Sequence, residues 1–280
     1  MLTLVNDVNH FSYLVNASGQ QGKRTISNCY LLPNDILHYT QQRKMFWSKL
    51  LNGIIFYCEE NDFFYLYFYL LKEQNQNSTI IMEKLGKPLV IDLVFSNTKV
   101  AQSQRYIEEF WLASGFQLYK TYKRYVLHNL SGERKINFHP HIDERYYRFG
   151  YPQKTHVAEI LKLWRTALDV YSIALPDEIE MLDLMEKKML LCIFDINLKL
   201  VGVIKVQIDG KTGSLWHLAV DEEHRHYGLA KALMLSSINE LKDVDRILTW
   251  VEENNFPAIN LILTIGFELE GKVTRKLLDK

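Results

Sequence analysis

One short string in the second half of the chain has the residue types and spacing of an anion-binding turn. It is Arg225-His226-Tyr227-Gly228-Leu229-Ala230, which fits the pattern R-x-x-G-x-A. The string lies between a strand-like run, SLWHLAV, that ends at Val220 and a helical pattern that begins near Leu229. Backbone N–H groups in the first turn of a helix are unpaired, and together with the helix dipole they attract anions. The sequence therefore predicts a pyrophosphate-binding turn here.

Two small residues of this string suit a close approach of phosphate to the backbone. Gly228 has no Cβ and can adopt a positive φ, and Ala230 keeps the start of the helix thin. Arg225 and His226 could add positive charge, although we expect the peptide groups to make most of the contacts. Tyr227 is either a surface aromatic within the turn or a contact to the ligand.

The surrounding residues resemble the GCN5-related N-acetyltransferase (GNAT) family, whose members bind the pyrophosphate of acetyl-CoA on a Q/R-x-x-G-x-G/A loop after a central strand. LWHLAVDEEHRHYGLAKAL is similar to that signature nearly throughout. Asn255-Phe256-Pro257-Ala258-Ile259-Asn260-Leu261, followed by Gly266-Phe267, is similar to the last helix of the family. The resemblance covers residues from about 145 to 280.

The resemblance implies a bulge in the strand SLWHLAV that splays it from its neighbour. The backbone of Leu218 and Val220 would then pair with the acetyl and pantetheine amides, and a freed N–H would polarise the thioester carbonyl. Acetyl-CoA would be the cosubstrate, and no metal would be required. The implied cofactor-binding residues are Leu218, Val220, Arg225, His226, Tyr227, Gly228, Leu229, Ala230, Asn255 and Asn260.

The sequence leaves open which residues would transfer protons. Many family members have a tyrosine that protonates the departing thiolate, and the matching position here is Ile262. His217 precedes the backbone that would meet the thioester, so it is a candidate base for the ammonium proton, or else a histidine packed on the far side of the strand. Glu252 and Glu253 could attract a cationic amine, or could be solvated residues that open a helix.

The first half shows a similar order of strands and helices but has no R-x-x-G-x-A string. Pro33 to Asp35 predict a helix that runs through Leu51, and FWLASGFQLYKTYKRYVL resembles the final helix, G-F and closing strand of the family. We interpret residues 1–132 as a degenerate GNAT-like domain and residues 133–280 as the acetyl-CoA-binding GNAT domain, with the boundary in the polar segment Ser131 to His141.

The predicted fold class follows from this order of elements. It is α/β with an α+β mixed sheet, in which two tandem GNAT-like domains each have a central, mostly antiparallel sheet with helices on both faces. After the last helix the pattern predicts a closing pair of short strands.

Composition narrows the classes of partner. The 280 residues include 33 basic and 33 acidic side chains, so the zero net charge argues against a nucleic-acid binder. The three cysteines, Cys29, Cys58 and Cys192, form no C-x-x-C pair, which fits a reducing compartment. No signal-like N-terminus and no apolar run of about 20 residues is present, so we expect a cytoplasmic protein that does not enter the membrane.

These observations predict an N-acetyltransferase that moves an acetyl group from acetyl-CoA to a small-molecule or peptide amine by direct attack. One alternative is a non-catalytic acyl-CoA-binding regulatory or scaffold module, which Ile262 favours. Another is an aminoacyl or larger acyl transferase, because two fused copies of this fold can frame a long acceptor groove.

Overall fold

The computed structural model describes residues 2–18, 25–50, 53–71, 85–96, 101–128, 142–241 and 243–279. These residues form two compact units. Unit 1 comprises Met1–Thr121 together with Lys272–Lys280, and unit 2 comprises Tyr122–Gly271. This division assigns the C-terminal segment to unit 1, which a single boundary near residue 132 does not anticipate. The proposed boundary segment, Ser131 to His141, lies outside the described residues.

Ten of the described strands and α-helices precede residue 129. In chain order they are β1 (Thr3–Leu4), α1 (Val8–Ser18), β2 (Thr25–Ser27), α2 (Pro33–Gln41), β3 (Met45–Leu50), β4 (Gly53–Glu59), β5 (Phe64–Leu71), β6 (Leu89–Ser96), α3 (Ala101–Ala113) and β7 (Gln117–His128). Strand β7 passes from unit 1 into unit 2 between Thr121 and Tyr122.

The other elements follow residue 141. They are β8 (Tyr147–Gly150), α4 (Val157–Ala167), α5 (Glu178–Glu186), β9 (Leu190–Asp195), β10 (Leu200–Asp209), β11 (Thr212–Val220), α6 (Leu229–Glu240), β12 (Arg246–Glu252), α7 (Phe256–Ile265) and β13 (Glu268–Asp279). The predicted pair of short closing strands is wrong, because Glu268–Asp279 is one strand of 12 residues. Among all described helices, none combines the length and hydropathy that crossing a membrane demands.

Strand β13 adds the last strand to the sheet of unit 1. Its strand order is β1-β3-β4-β5-β6, with β2 paired to β5. The residues of β13 from Lys272 to Asp279 pair antiparallel with β6. Helix α3 packs on one face through Ile107 and Trp111, in a core that also includes Leu277 of β13.

The sheet of unit 2 has the strand order β7-β12-β11-β10-β9-β8. Its pairs are antiparallel except β11 with β12, which run parallel. One face packs against α6 and α7, and the other packs against α4 and α5. The mostly antiparallel sheet with helices on both faces is therefore confirmed in this unit.

The predicted continuation of the first-half helix through Leu51 is wrong. Helix α2 ends at Gln41, and Arg43 has a φ of 59°, which breaks the helical path. Residues Met45–Leu50 instead form β3, which pairs with β4 in unbroken register. The apolar positions that suggested a helix are used for strand pairing, because tertiary contacts override a local pattern of this length.

Candidate functional site

Strands β11 and β12 diverge after a short parallel stretch. They pair only from Thr212 with Arg246 to Ser214 with Leu248, although each strand continues beyond that point. Where the pairing ends, the hydroxyl of Thr249 donates to the carbonyl oxygen of Leu215 at 3.2 Å. The gap between residues 215–220 of β11 and 249–252 of β12 is called the unit 2 wedge.

A bulge lies in β11 beside this wedge. His217 and Leu218 together oppose one residue of β10, Ile204, and the register of the β10–β11 pair shifts between Val203 and Lys205. His217 has a φ of 51°, in the left-handed region. The bulge that the resemblance implied is therefore present in this strand.

The extra residue changes which face of the sheet the side chains of β11 meet. Leu215 belongs to the core beneath α6 and α7, whereas Ala219 belongs to the core beneath α4 and α5. In a regular strand, two residues four positions apart share one face. The bulge thus reverses the alternation and turns the backbone between these residues.

Trp164 of α4 ties the bulge to the neighbouring helix layer. Its Nε1 donates to the carbonyl oxygen of His217 at 2.7 Å, and the two rings meet edge to face with centroids 5.2 Å apart. The side chain of Trp164 is fully buried. A buried carbonyl needs a donor, and the indole supplies one at the bulge. The sequence contains no signal for this contact, because Trp164 and His217 are far apart in the chain.

The imidazole of His217 is held in a neutral state. Its Nδ1 is buried and has no hydrogen-bond partner within the part of the chain that the structure describes. Burial, with a smaller contribution from the positive charge of Lys205, lowers the pKa of His217 to about 3. An imidazole with this pKa holds a proton weakly, which argues against His217 as the candidate base.

The turn between β11 and α6 has the backbone geometry of an anion site. Gly228 has a φ of 78° and is the N-cap of α6. A Cβ at this position would meet no atom within 4 Å, so the space in front of the backbone is open. The N–H of Ala232 bonds to the carbonyl of Gly228, and the three residues before Ala232 present the first N–H groups of the helix.

The side chains of this turn are mostly exposed. Arg225 donates from Nε to the carbonyl oxygen of Val220 at 3.4 Å. The ring of Tyr227 lies 6.3 Å from that of Tyr147 on β8, measured between centroids. Leu229 is buried and anchors α6 in the core. The predicted loop residues are therefore together at the end of β11.

Helix α7 places two further predicted residues at its start and middle. The Oδ1 of Asn255 accepts from the backbone N–H of Ala258 at 3.2 Å, so Asn255 is the N-cap of α7. Asn255 and Asn260 are both exposed. Ile262 is only 2% exposed and packs in the core beneath the helix. The sequence did not assign Asn255 this structural role.

Two carboxylates near the end of β12 lie beside cationic side chains. Glu253 lies 3.6 Å from the Nζ of Lys123, and Glu252 is half-buried. The guanidinium of Arg124 lies over the ring of Trp250 at 5.5 Å from its centroid and also binds Glu270. Glu253 and Glu270 therefore have cationic neighbours within unit 2.

Comparison with a family model gives a match in unit 2. Residues 157–267 match the acetyltransferase (GNAT) family. No curated protein matches the sequence.

Solved structures of similar fold cover the whole chain. A tandem GNAT protein from the clavulanic acid biosynthesis pathway, solved without acetyl-CoA, is 12% identical to this chain and has a TM-score of 0.59. The match covers 99% of this chain and 98% of that protein. A GCN5-related N-acetyltransferase from Sphaerobacter thermophilus is 10% identical, with a TM-score of 0.56 and coverage of 99% and 94%. A GNAT-family acetyltransferase from Colwellia psychrerythraea is 16% identical, with a TM-score of 0.54 and full coverage of both chains. The likeness shows a shared fold.

Proposed function

We propose, on the premise that residues 157–267 form a GNAT domain, that unit 2 transfers an acetyl group from acetyl-CoA to an amine. The observation that carries the proposal is the coincidence of three features in one unit. The wedge opens between β11 and β12, the bulge lies on one side of it, and the N-terminus of α6 follows β11 after residues 221–228. These three features, in this order, suit an extended thioester that ends in a pyrophosphate.

The donor would bind through backbone groups at both ends. The N–H groups after Gly228 would hold the pyrophosphate, with Arg225, His226 and Tyr227 around it. In the wedge, the backbone of Leu218 and Val220 would pair with the amides of the pantetheine arm. Asn260, exposed on α7, would contribute a side-chain amide from the other wall.

The chemistry is a direct attack on the thioester. The amine nitrogen forms a bond to the carbonyl carbon, the carbon–sulfur bond breaks, and its electron pair leaves with the sulfur. A backbone N–H at the bulge would stabilise the oxyanion in the transition state. Because the bulge is fixed by Trp164, this donor would be in place before the substrates bind.

Proton transfer would depend mainly on solvent. The pKa of His217 is lowered to about 3, so its imidazole is a poor acceptor for the ammonium proton. The side chain of Ile262 is apolar and buried, so this position supplies no acid to the leaving thiolate. The amine would therefore react as the free base, and the thiolate would leave as an anion or take a proton from water. Glu252, half-buried at the diverging end of β12, is the candidate contact for a cationic acceptor.

His217 and Ile262 also favour a second candidate function. The loop and the wedge suffice to bind acyl-CoA, whereas a basic imidazole and a hydroxyl near the sulfur would serve only turnover. Ile262 and the neutral His217 are the observations in favour of such a regulatory or scaffold module.

One experiment separates the two functions. The full chain is incubated with acetyl-CoA and a panel of amines, and thiol release is followed beside calorimetric titration with acetyl-CoA. Acetyltransfer predicts saturable binding and amine-dependent thiol release. Saturable binding with no release on any amine supports the module, and absence of binding contradicts both functions.

A further inference from the structure

Unit 1 contains a wedge of its own. Strands β5 and β6 pair in parallel only at Phe64 with Leu89 and Tyr65 with Val90. Strand β5 continues to Leu71 and β6 continues beyond its paired residues, so the two strands diverge. The gap between residues 66–71 of β5 and 91–96 of β6 is called the unit 1 wedge. Unit 1 therefore has, like unit 2, two neighbouring strands that pair in parallel over a short stretch and then separate.

The chain itself lies against this wedge. Strand β2 pairs antiparallel with β5, from Thr25 with Leu71 to Ser27 with Tyr69. The β2 segment is therefore an added strand on the edge of β5 that β6 leaves unpaired. The chain then continues directly into Asn28.

The side-chain amide of Asn28 joins the two diverging strands. Its Nδ2 donates to the carbonyl oxygen of Leu66 at 3.0 Å and to that of Asp92 at 3.3 Å. Its Oδ1 accepts from the backbone N–H of Phe68 at 2.8 Å. Leu66 and Phe68 are two positions apart on β5, which is the spacing at which one strand edge presents a carbonyl and an N–H to a neighbour.

A carboxamide has the same donor and acceptor groups as a peptide or a pantetheine amide. Asn28 thus satisfies the backbone of β5 as the amide of an extended ligand would, and it also reaches β6. Strand β5 has no bulge, since its register with β4 is continuous from Gly53 with Leu70 to Glu59 with Phe64. Asn28 therefore bridges the unit 1 wedge. Strand β5 runs along this wedge without a bulge, whereas β11 has a bulge beside the unit 2 wedge.

Side-chain contacts hold the segment after Asn28 on the sheet. The hydroxyl of Tyr30 donates to Oδ2 of Asp92 at 3.4 Å, and its ring meets that of Tyr67 with centroids 5.3 Å apart. The other oxygen of Asp92 lies 2.6 Å from the Nζ of Lys276, which is almost fully buried. Asp92 therefore contacts Asn28 through its backbone and the closing strand β13 through its side chain.

We propose that residues 25–28 are a built-in occupant of the unit 1 wedge, so that unit 1 is closed to the extended amide chain of an acyl-CoA. The proposal rests on contacts within unit 1 and stands apart from the reaction of unit 2. Two features would then keep acyl-CoA out of unit 1. One is the side-chain amide of Asn28 in the wedge, and the other is the absence of an R-x-x-G-x-A string from residues 1–132.

Hydrogen–deuterium exchange of the full chain tests the role of the amide. Asn28→Asp is nearly isosteric, but it places a carboxylate oxygen against the carbonyl oxygens of Leu66 and Asp92 in place of the Nδ2 donor. We expect at least about tenfold faster exchange in segments 25–31 and 66–71, with segment 53–59 of β4 unchanged. Equal exchange in the variant and the wild type would overturn the proposal.

Two further variants control the experiment. Asn34→Asp adds the same charge at an exposed position of α2 and is expected to leave exchange in both segments unchanged. Asn28→Ser keeps one shorter donor, so its effect should lie between those of the wild type and Asn28→Asp. If Asn28→Asp does not fold, increased exchange at segments 25–31 and 66–71 in Asn28→Ser carries the test, and its absence there overturns the proposal.

Addition of coenzyme A to the wild-type chain tests closure itself. We expect no new protection in residues 66–71, and new protection there would overturn the proposal. Protection of residues 215–220 reports on the proposed function of unit 2. Absence of protection in residues 215–220 would count against the proposed function of unit 2. It would not count against the occupant of the unit 1 wedge, because the Asn28 variants test that proposal without coenzyme A.

Discussion

The indole Nε1 of Trp164 donates to the carbonyl oxygen of His217 at 2.7 Å, and this bond joins helix α4 to the bulge in β11. The bulge removes that carbonyl from the regular ladder, and His217 adopts a φ of 51° there. A backbone conformation of this kind persists only where its surroundings hold it. Trp164 is therefore a positioning residue for the backbone that lines the unit 2 wedge.

Trp164→Phe should lower kcat while leaving the affinity for acetyl-CoA nearly unchanged. The phenyl ring keeps only part of the packing and leaves the carbonyl of His217 without its donor, and the lost hydrogen bond costs about 1–3 kcal/mol. If half of that loss falls on the transition state, turnover decreases by about two- to tenfold. Steady-state kinetics and calorimetry measure the two quantities.

A matched control for this change is Trp111→Phe in unit 1. Trp111 is fully buried, and among the described residues its Nε1 has no hydrogen-bond partner, so the variant loses packing and no hydrogen bond. Its kcat should equal that of the wild type. An equal decrease of kcat in both variants would contradict the positioning role of Trp164.

Gly228→Glu should weaken acetyl-CoA binding by at least about 2 kcal/mol, which is about 30-fold. Gly228 has a φ of 78°, so any side chain is strained there, and the carboxylate would lie at the first N–H groups of α6. The space around its Cβ is open, so the chain should still fold. Gly210→Glu, at another exposed glycine with positive φ and an open Cβ position, is the control. Unchanged affinity in a folded Gly228→Glu variant would remove the loop from the site.

His217→Gln should leave the shape of the pH–rate profile unchanged between about pH 6 and 9. The pKa of His217 is lowered to about 3, so its imidazole stays neutral throughout this range. The rate should rise with pH because the acceptor amine loses its proton. A profile that flattens near neutrality in the variant alone would restore His217 as the base.

The same pKa predicts how stability depends on pH. The imidazole has an ordinary pKa of about 6.5 when unfolded and about 3 when folded, so between these values the unfolded chain binds a proton that the folded chain does not. The wild type should lose about 1 kcal/mol per pH unit, relative to His217→Gln, as the pH falls below about 6. Urea unfolding at pH 7.5, 6 and 5 measures this difference, with exposed His128→Gln as the control. A constant difference would contradict the lowered pKa.

Ile262→Tyr should lower stability by about 1–3 kcal/mol and should not raise turnover. The isoleucine is buried in the core beneath α7, and a larger ring there forces the neighbouring side chains to move. Thermal unfolding and thiol release test the two parts, with Ile262→Val as the smaller change at the same position. Faster turnover in the tyrosine variant would show that the hydroxyl reaches the sulfur.

Features that depend on neighbours along the chain can be predicted from the amino-acid sequence. The string from Arg225 to Ala230 predicts a turn and a helix start, and the structure has Gly228 at the N-cap with the expected positive φ. The order of elements predicts a mostly antiparallel sheet with helices on both faces, which unit 2 has, because hydrophobic periodicity reports directly on which face of an element is buried.

Contacts between residues far apart in the chain were decided only by the tertiary structure. Trp164 and His217 are 53 positions apart, and Asn28 is 64 positions from Asp92. The assignment of Lys272–Lys280 to unit 1 has the same origin, since β13 finds its partner in β6. The pKa of His217 likewise depends on its burial. Such contacts leave no periodic trace, because each depends on the packing of elements that the chain brings together only when it folds.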